Sequence, residues 1–147
     1  MSDYVDKAAR QFAAERANGI CEYCLVAEED GYFRFHIDHI VSLKHGGASV
    51  TENLALACAF CNSYKGIDIA TLSPITNELI RFYNPRVDRW NRHFGLNDEL
   101  IIPKTEIGEA TVRILQMNHD DRILERLVLK RVGRYPSESA LHLITEH

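Results

Sequence analysis

The spacing of apolar positions changes period several times along the chain. Val5, Ala8, Ala9, Phe12 and Ala13 recur at helical intervals, and Asn18-Gly19 then stops that helix. In "YFRFHID", Phe33, Phe35 and Ile37 alternate with Arg34, His36 and Asp38, which predicts a strand with one buried face. "KHGGASVTEN" reads as a Gly-rich loop, "LALAC" as a short strand, and "CNSYKG" as a short helix with Asn62 and Lys65 one turn apart. Beyond Gly66, "IATLSPITNELI" looks like a turn-rich connector. "NPRVDRWNRHF" carries Val87, Trp90 and Phe94 at helical spacing, with Pro85 suited to a first turn. "GEATVRILQM" and "DRILERLVLKRV" predict two more helices, facing inward through Ala110, Ile114, Met117 and through Ile123, Leu127 and the stem of Lys130, before the breaker Gly133. The expectation is an α+β fold in two parts, 1–66 and a mostly helical 67–147 packed on it.

The cysteines change this picture most. The chain's four, Cys21, Cys24, Cys58 and Cys61, form two C-x-x-C pairs separated by 33 residues. Each C-x-x-C turn aims two thiolates at one point, and a tetrahedral ion takes four, so a structural zinc site is expected rather than disulfides. A closed four-thiolate site leaves no coordination position for substrate. Any chemistry must therefore lie between the two knuckles.

Composition bounds the rest. With 147 residues, 46% hydrophobic and 26% charged, the chain suits one ordinary core or a small metal-stapled module with an extension. No apolar run approaches the roughly 20 residues of a membrane helix. The N-terminus has no basic segment followed by an apolar core, so a cytoplasmic protein without membrane contact is expected. The net charge of −4 is uneven: residues 1–80 carry 6 basic and 11 acidic side chains, 81–147 carry 11 and 10. Basic clusters at Arg81, Arg86, Arg89, Arg92 and at Arg126, Lys130, Arg131, Arg134 are candidate phosphate-binding patches, the alternative being solvated helix faces.

The run "CEYC…HIDHIVSLKHGGASVTENLALACAFCNSYKG" resembles the HNH endonuclease family in its H-N-N variant, with Asn62 where the last metal-binding residue is often His. It departs from the family at Ser42, where a proline is usual. The resemblance covers about a third of the chain and implies a zinc-stapled ββα-metal module. It assigns His39 as general base, which suits a group titrating near neutral pH. Asp38 and Asn62 are implied to hold a catalytic Mg²⁺ or Mn²⁺, and Asn53 to fix the loop carrying the histidine. Asp38 and His39, as neighbours, can serve metal and water separately where the strand ends and turns.

His36 shares a strand face with Asp38 and is a further candidate, while His45 is expected to be solvated. Lys65, Arg86, Arg89, Arg92 and Arg131 are the candidate nucleic-acid contacts. Arg86, Trp90, His93 and Phe94 also match a stretch that follows the HNH module in some short bacterial proteins, with Trp90 and Phe94 expected in the core. The implied activity is hydrolysis of DNA leaving 5′-phosphate and 3′-hydroxyl ends. A non-catalytic zinc-knuckle nucleic-acid-binding module and an RNA-directed nuclease or toxin stay open as alternatives.

Overall fold

Helix α1, Lys7–Arg16, begins where the Asp6 carboxylate accepts the Ala9 N–H at 2.7 Å, and ends before Asn18 and Gly19, both at positive φ. The computed structural model describes residues 5–145. In it, α1 leads into the first knuckle, and then β1 (His36–His39) pairs antiparallel with β2 (Leu54–Ala57), His39 lying opposite Leu54. Helix α2 (Ala59–Lys65) follows directly, with the Cys58 sulfur accepting the Cys61 N–H at its start.

Helix α1 packs on β2, and α2 packs on both strands. All four residues of β2 are buried, whereas β1 runs exposed, half-buried, buried, half-buried from His36 to His39. This corrects the simple alternation expected for β1. Phe35 and Ile40 are buried, but Asp38, expected on the polar face, is 3% exposed, and Phe33, expected inside, is 61% exposed. Phe12 also turns outward, and α1 buries Ala13 against Leu54 instead.

The second half is less helical than its pattern suggests. The connector folds into a hairpin, β3 (Ala70–Leu72) with β4 (Leu79–Arg81), covered by α4 (Glu106–Ile114). The helix expected over "NPRVDRWNRHF" is one turn, α3 (Trp90–His93), with Val87 exposed and Phe94 already opening β5 (Phe94–Asn97). Strand β5 pairs with β6 (Leu100–Pro103). Gly108 lets α4 approach the end of α3, where a Cβ would lie 2.1 Å from the His93 carbonyl oxygen.

Helix α5 (Asp120–Arg131) shifts the expected face by one residue: Arg122 and Arg126 are buried, Ile123 and Leu127 are half-buried, and Lys130 is exposed. Helix α6 (Glu138–Thr145) closes the chain.

One buried cluster runs from Ala17 and Ile20 through both knuckles and β2 to Trp90, Phe94, Leu115, Tyr135 and Ala140. Polar links reinforce it. Trp90 Nε1 donates to the Tyr23 carbonyl at 2.9 Å, and the Tyr135 hydroxyl to that of Cys24 at 2.8 Å. The C-terminal half thus seals the first knuckle.

Candidate active site and metal centre

The four cysteine sulfurs lie within 4.8 Å of one another and are all buried. Zinc–sulfur bonds of about 2.3 Å in a tetrahedron place sulfurs about 3.8 Å apart, and Cys24 and Cys58 Sγ are 3.7 Å apart. The donor set therefore fits zinc. Four thiolates around Zn²⁺ leave a net charge of −2 in a buried place, and the sequence reading had found nothing to balance it. Arg122 meets that need. Its Nη2 donates to Cys61 Sγ at 2.9 Å and lies 3.6 Å from Cys58 Sγ, Nη1 donates to the Leu115 carbonyl at 2.7 Å, and the guanidinium stands 5.7 Å from the Phe60 ring centroid.

Between the knuckles, Asp38, His39 and Asn62 line one cleft of about 230 Å³, with Lys44 and Ser42 at its wall. Strand β1 ends at His39, so the adjacent pair sits where the chain begins to turn. Ser49, from the Gly-rich loop, is 2.9 Å from His39 Nε2. Among the described residues His39 Nδ1 has no protein hydrogen-bond partner. Asn53 clamps the same loop by accepting from Val41 N and donating to the carbonyls of Val41 and Ala48, each at 2.9 Å. The loop passes so close that a Cβ on Gly47 would stand 1.8 Å from the Val41 oxygen. His36 and His45 are both exposed.

Asp38 is more committed than its sequence context indicates. The Tyr23 hydroxyl donates to its Oδ2 at 2.7 Å, and Lys65 Nζ donates to Oδ1 at 3.2 Å and to the carbonyls of His39 and Ile40, each at 3.1 Å. Burial raises the Asp38 carboxyl above its ordinary range, against the opposing pull of Lys65 and Tyr23. Burial and the Asp38 charge hold the Tyr23 phenol far above its own range, which makes it the donor of the pair. Lys65 Nζ also lies 3.1 Å from Oδ2, so of the roughly four lone-pair positions of a carboxylate at least one is left for a cation, and Asn62 adds a neutral amide oxygen with no side-chain hydrogen bond among the described residues. These residues suit a hard divalent ion.

A family model described as HNH endonuclease matches residues 21–67. This third of the chain is similar to HNH endonuclease domains. The match runs from the first knuckle cysteine to just past α2, and it contains every residue of the cleft. No curated protein and no solved structure matched the chain.

For the expected nucleic-acid contacts outside the HNH cleft, the geometry brings two corrections. Lys65 is 1% exposed and spends its ammonium on Asp38, so it has no surface to offer a phosphate. Arg86 is ion-paired with Glu22 and donates to the Leu54 carbonyl at 3.2 Å.

The basic clusters are largely internal as well. Arg81 grips Asp88 through two hydrogen bonds, Arg126 is 1% exposed, Lys130 pairs with Asp98, and Arg134 with Glu29 and Asp30. Arg89, Arg92 and Arg131 are exposed and without an ion pair among the described residues. Closer to the HNH cleft, Lys7, Arg10 and Arg34 line a second cleft of about 250 Å³, which shares Ile37 with it. Sequence reasoning missed this group because its members come from α1 and from the segment before β1, within a half whose net charge is negative.

Proposed function

We propose that this chain is a metal-dependent endonuclease that hydrolyses DNA phosphodiester bonds, with His39 as general base and Asp38 and Asn62 holding Mg²⁺ or Mn²⁺. The observation that carries the reading is the convergence of Asp38, His39 and Asn62 on one open cleft inside the HNH domain. His39, held through Nε2 by Ser49, takes the proton of a water at Nδ1. The hydroxide oxygen bonds to phosphorus, the P–O3′ bond breaks, and the products are a 5′-phosphate and a 3′-hydroxyl protonated from solvent. A bound divalent cation would neutralise charge on the scissile phosphate and the leaving oxygen.

Tyr23 and Lys65 orient the Asp38 carboxylate, and Asn53 holds the loop that brings Ser49 to His39. Zinc at the four cysteines, backed by Arg122, fixes the hairpin relative to α2. Lys7, Arg10, Arg34 and Lys44 are the cations best situated for phosphates flanking the cleft, with Arg89, Arg92 and Arg131 as more distant contacts.

The ion pair between Lys65 and Asp38 favours one rival, a nucleic-acid-binding module whose site is idle because an ammonium already satisfies the carboxylate. Supercoiled plasmid incubated with Mg²⁺ or Mn²⁺ separates the two. Nicked or linear product from wild type supports the nuclease, whereas intact plasmid that is nonetheless bound supports the idle module. Parallel incubation with a structured RNA distinguishes DNA from RNA as substrate.

A further inference from the structure

A cleft of about 310 Å³, which shares no lining residue with the cleft of Asp38, His39 and Asn62, is lined by Arg16, Arg86, Arg89, Glu22, Asp88 and Trp90, among others. We propose that it is a phosphate-binding site, built from α1, the first knuckle and the segment leading into α3, that takes a phosphate group of a nucleic acid.

The cations of this cleft are not matched by its acids. Asp88 accepts two hydrogen bonds from Arg81, at 2.7 and 2.9 Å, and one from the Asn84 N–H. Glu22 is taken by Arg86 and by the Leu56 N–H at 2.8 Å. Among the described residues Arg16 and Arg89 make no ion pair, although the charges of Glu22 and Glu52 reach Arg16. Arg16 gives its two Nη groups to the carbonyls of Thr51 at 2.9 Å and Leu54 at 2.6 Å, and that second oxygen also receives Arg86.

Two guanidiniums thus converge on one carbonyl beside an open cleft, with the Glu22 carboxylate, ion-paired to Arg86, as the near counter-charge for both. Burial and the neighbouring Arg86 charge lower the Arg16 pKa, against the opposing pull of Glu22 and Glu52. The Nε of Arg16 is buried with no protein hydrogen-bond partner, the one such side-chain nitrogen or oxygen among the described residues.

A purely structural role, tying α1 to the turn before β2, explains the two Nη groups of Arg16. It explains neither the orphaned Nε nor the exposed Arg89 on the same cleft. Arg16 and Arg86 already spend their Nη groups on Thr51, Leu54 and Glu22, so Arg89 offers the free guanidinium fork of this cleft, and such a fork matches phosphate oxygens two at a time. The volume lies at the lower end of the range for ligand clefts, roughly 300–1,000 Å³. It admits the phosphate with part of its ester substituent. The inference stands independently of catalysis, since no residue of the catalytic cleft lines this one.

Trp90, the chain's single tryptophan, lines the cleft and is anchored by its indole N–H on Tyr23. Its emission is therefore a reporter specific to the site. The zinc-loaded full chain, without DNA or added divalent metal, is titrated with inorganic phosphate at constant ionic strength, following Trp90 emission and the Arg16 Nε–Hε resonance. Saturable changes in both are expected. Arg89→Ala should weaken them roughly tenfold or more, as for loss of a charged hydrogen bond, while Arg92→Ala, which does not line the cleft, leaves them unchanged.

Duplex DNA that displaces the phosphate identifies a backbone phosphate as the natural occupant. Displacement only by a mononucleotide identifies a free phosphate ester and overturns the nucleic-acid assignment. A response that does not saturate, or that is the same in Arg89→Ala as in wild type, overturns the site altogether. Plasmid cleavage is read separately, so loss of this site and loss of the nuclease reading give different results.

Discussion

Lys65 shows how much one burial value changes a residue's meaning. A lysine one turn after Asn62 on a short helix suggests a phosphate contact, but at 1% exposure its ammonium is an internal partner of Asp38. Removing one member of a buried ion pair typically costs about 3–5 kcal/mol, because the other charge is left uncompensated. Lys65→Met should therefore lower the denaturation midpoint sharply without altering the salt dependence of DNA binding. An unchanged midpoint with a shallower salt slope would restore the phosphate role.

Asn53 was assigned by resemblance alone, and its three loop hydrogen bonds now give that assignment a mechanism. Asn53→Ala should destabilise the chain by about 1–3 kcal/mol and reduce cleavage with zinc retained. Asn53→Asp should be no better, since it keeps the acceptor for Val41 N but faces two carbonyls with a carboxylate. A fully active Asn53→Asp, measured by plasmid nicking at matched zinc content, would contradict this.

Among the elements, those set by local signals were legible: α1 from its apolar spacing and its Asn18-Gly19 stop, β2 and α2 from the run around Cys58, and α4 from its periodicity. Elements decided by tertiary context were not. Hairpins β3–β4 and β5–β6 have strands of three or four residues, too short to show a period, and α6 was not foreseen.

Helix α5 misled because its inward face is arginine. Arg122 points at the sulfurs and Arg126 donates to the Glu99 carbonyl at 2.8 Å, functions that no hydropathy pattern encodes. The same helix yields a prediction. Loss of a partner that contacts metal ligands commonly costs about 10- to 100-fold in metal affinity, so Arg122→Ala should release zinc to a competing chelator at correspondingly lower concentration. Equal zinc retention in Arg122→Ala and wild type would remove the arginine from the metal centre.

Across the whole molecule, charge is used differently from what its distribution along the sequence suggests. The basic C-terminal half spends most of its cations internally, while Lys7, Arg10, Arg34 and Lys44 of the acidic half line the cleft of Asp38, His39 and Asn62 and its neighbour. For duplex DNA each lost phosphate contact lowers the slope of log K against log salt by about 0.9. Arg34→Ala and Arg10→Ala should each show that decrement and weaken binding alike for all sequences, measured with catalysis suppressed by omitting divalent metal. A decrement from Arg131→Ala but from neither of these would return the DNA path to the C-terminal half.

His39 is the proposed base in the cleft it shares with Asp38 and Asn62. The most direct measurement is the initial rate of supercoiled plasmid cleavage in Mg²⁺ and in Mn²⁺ by wild type and His39→Ala, with zinc content and thermal midpoint matched. Loss of a general base typically costs about 10²- to 10⁴-fold, and a fall of that size with fold and zinc intact is the predicted result. A His39→Ala protein that cuts plasmid at the wild-type rate would contradict the mechanism.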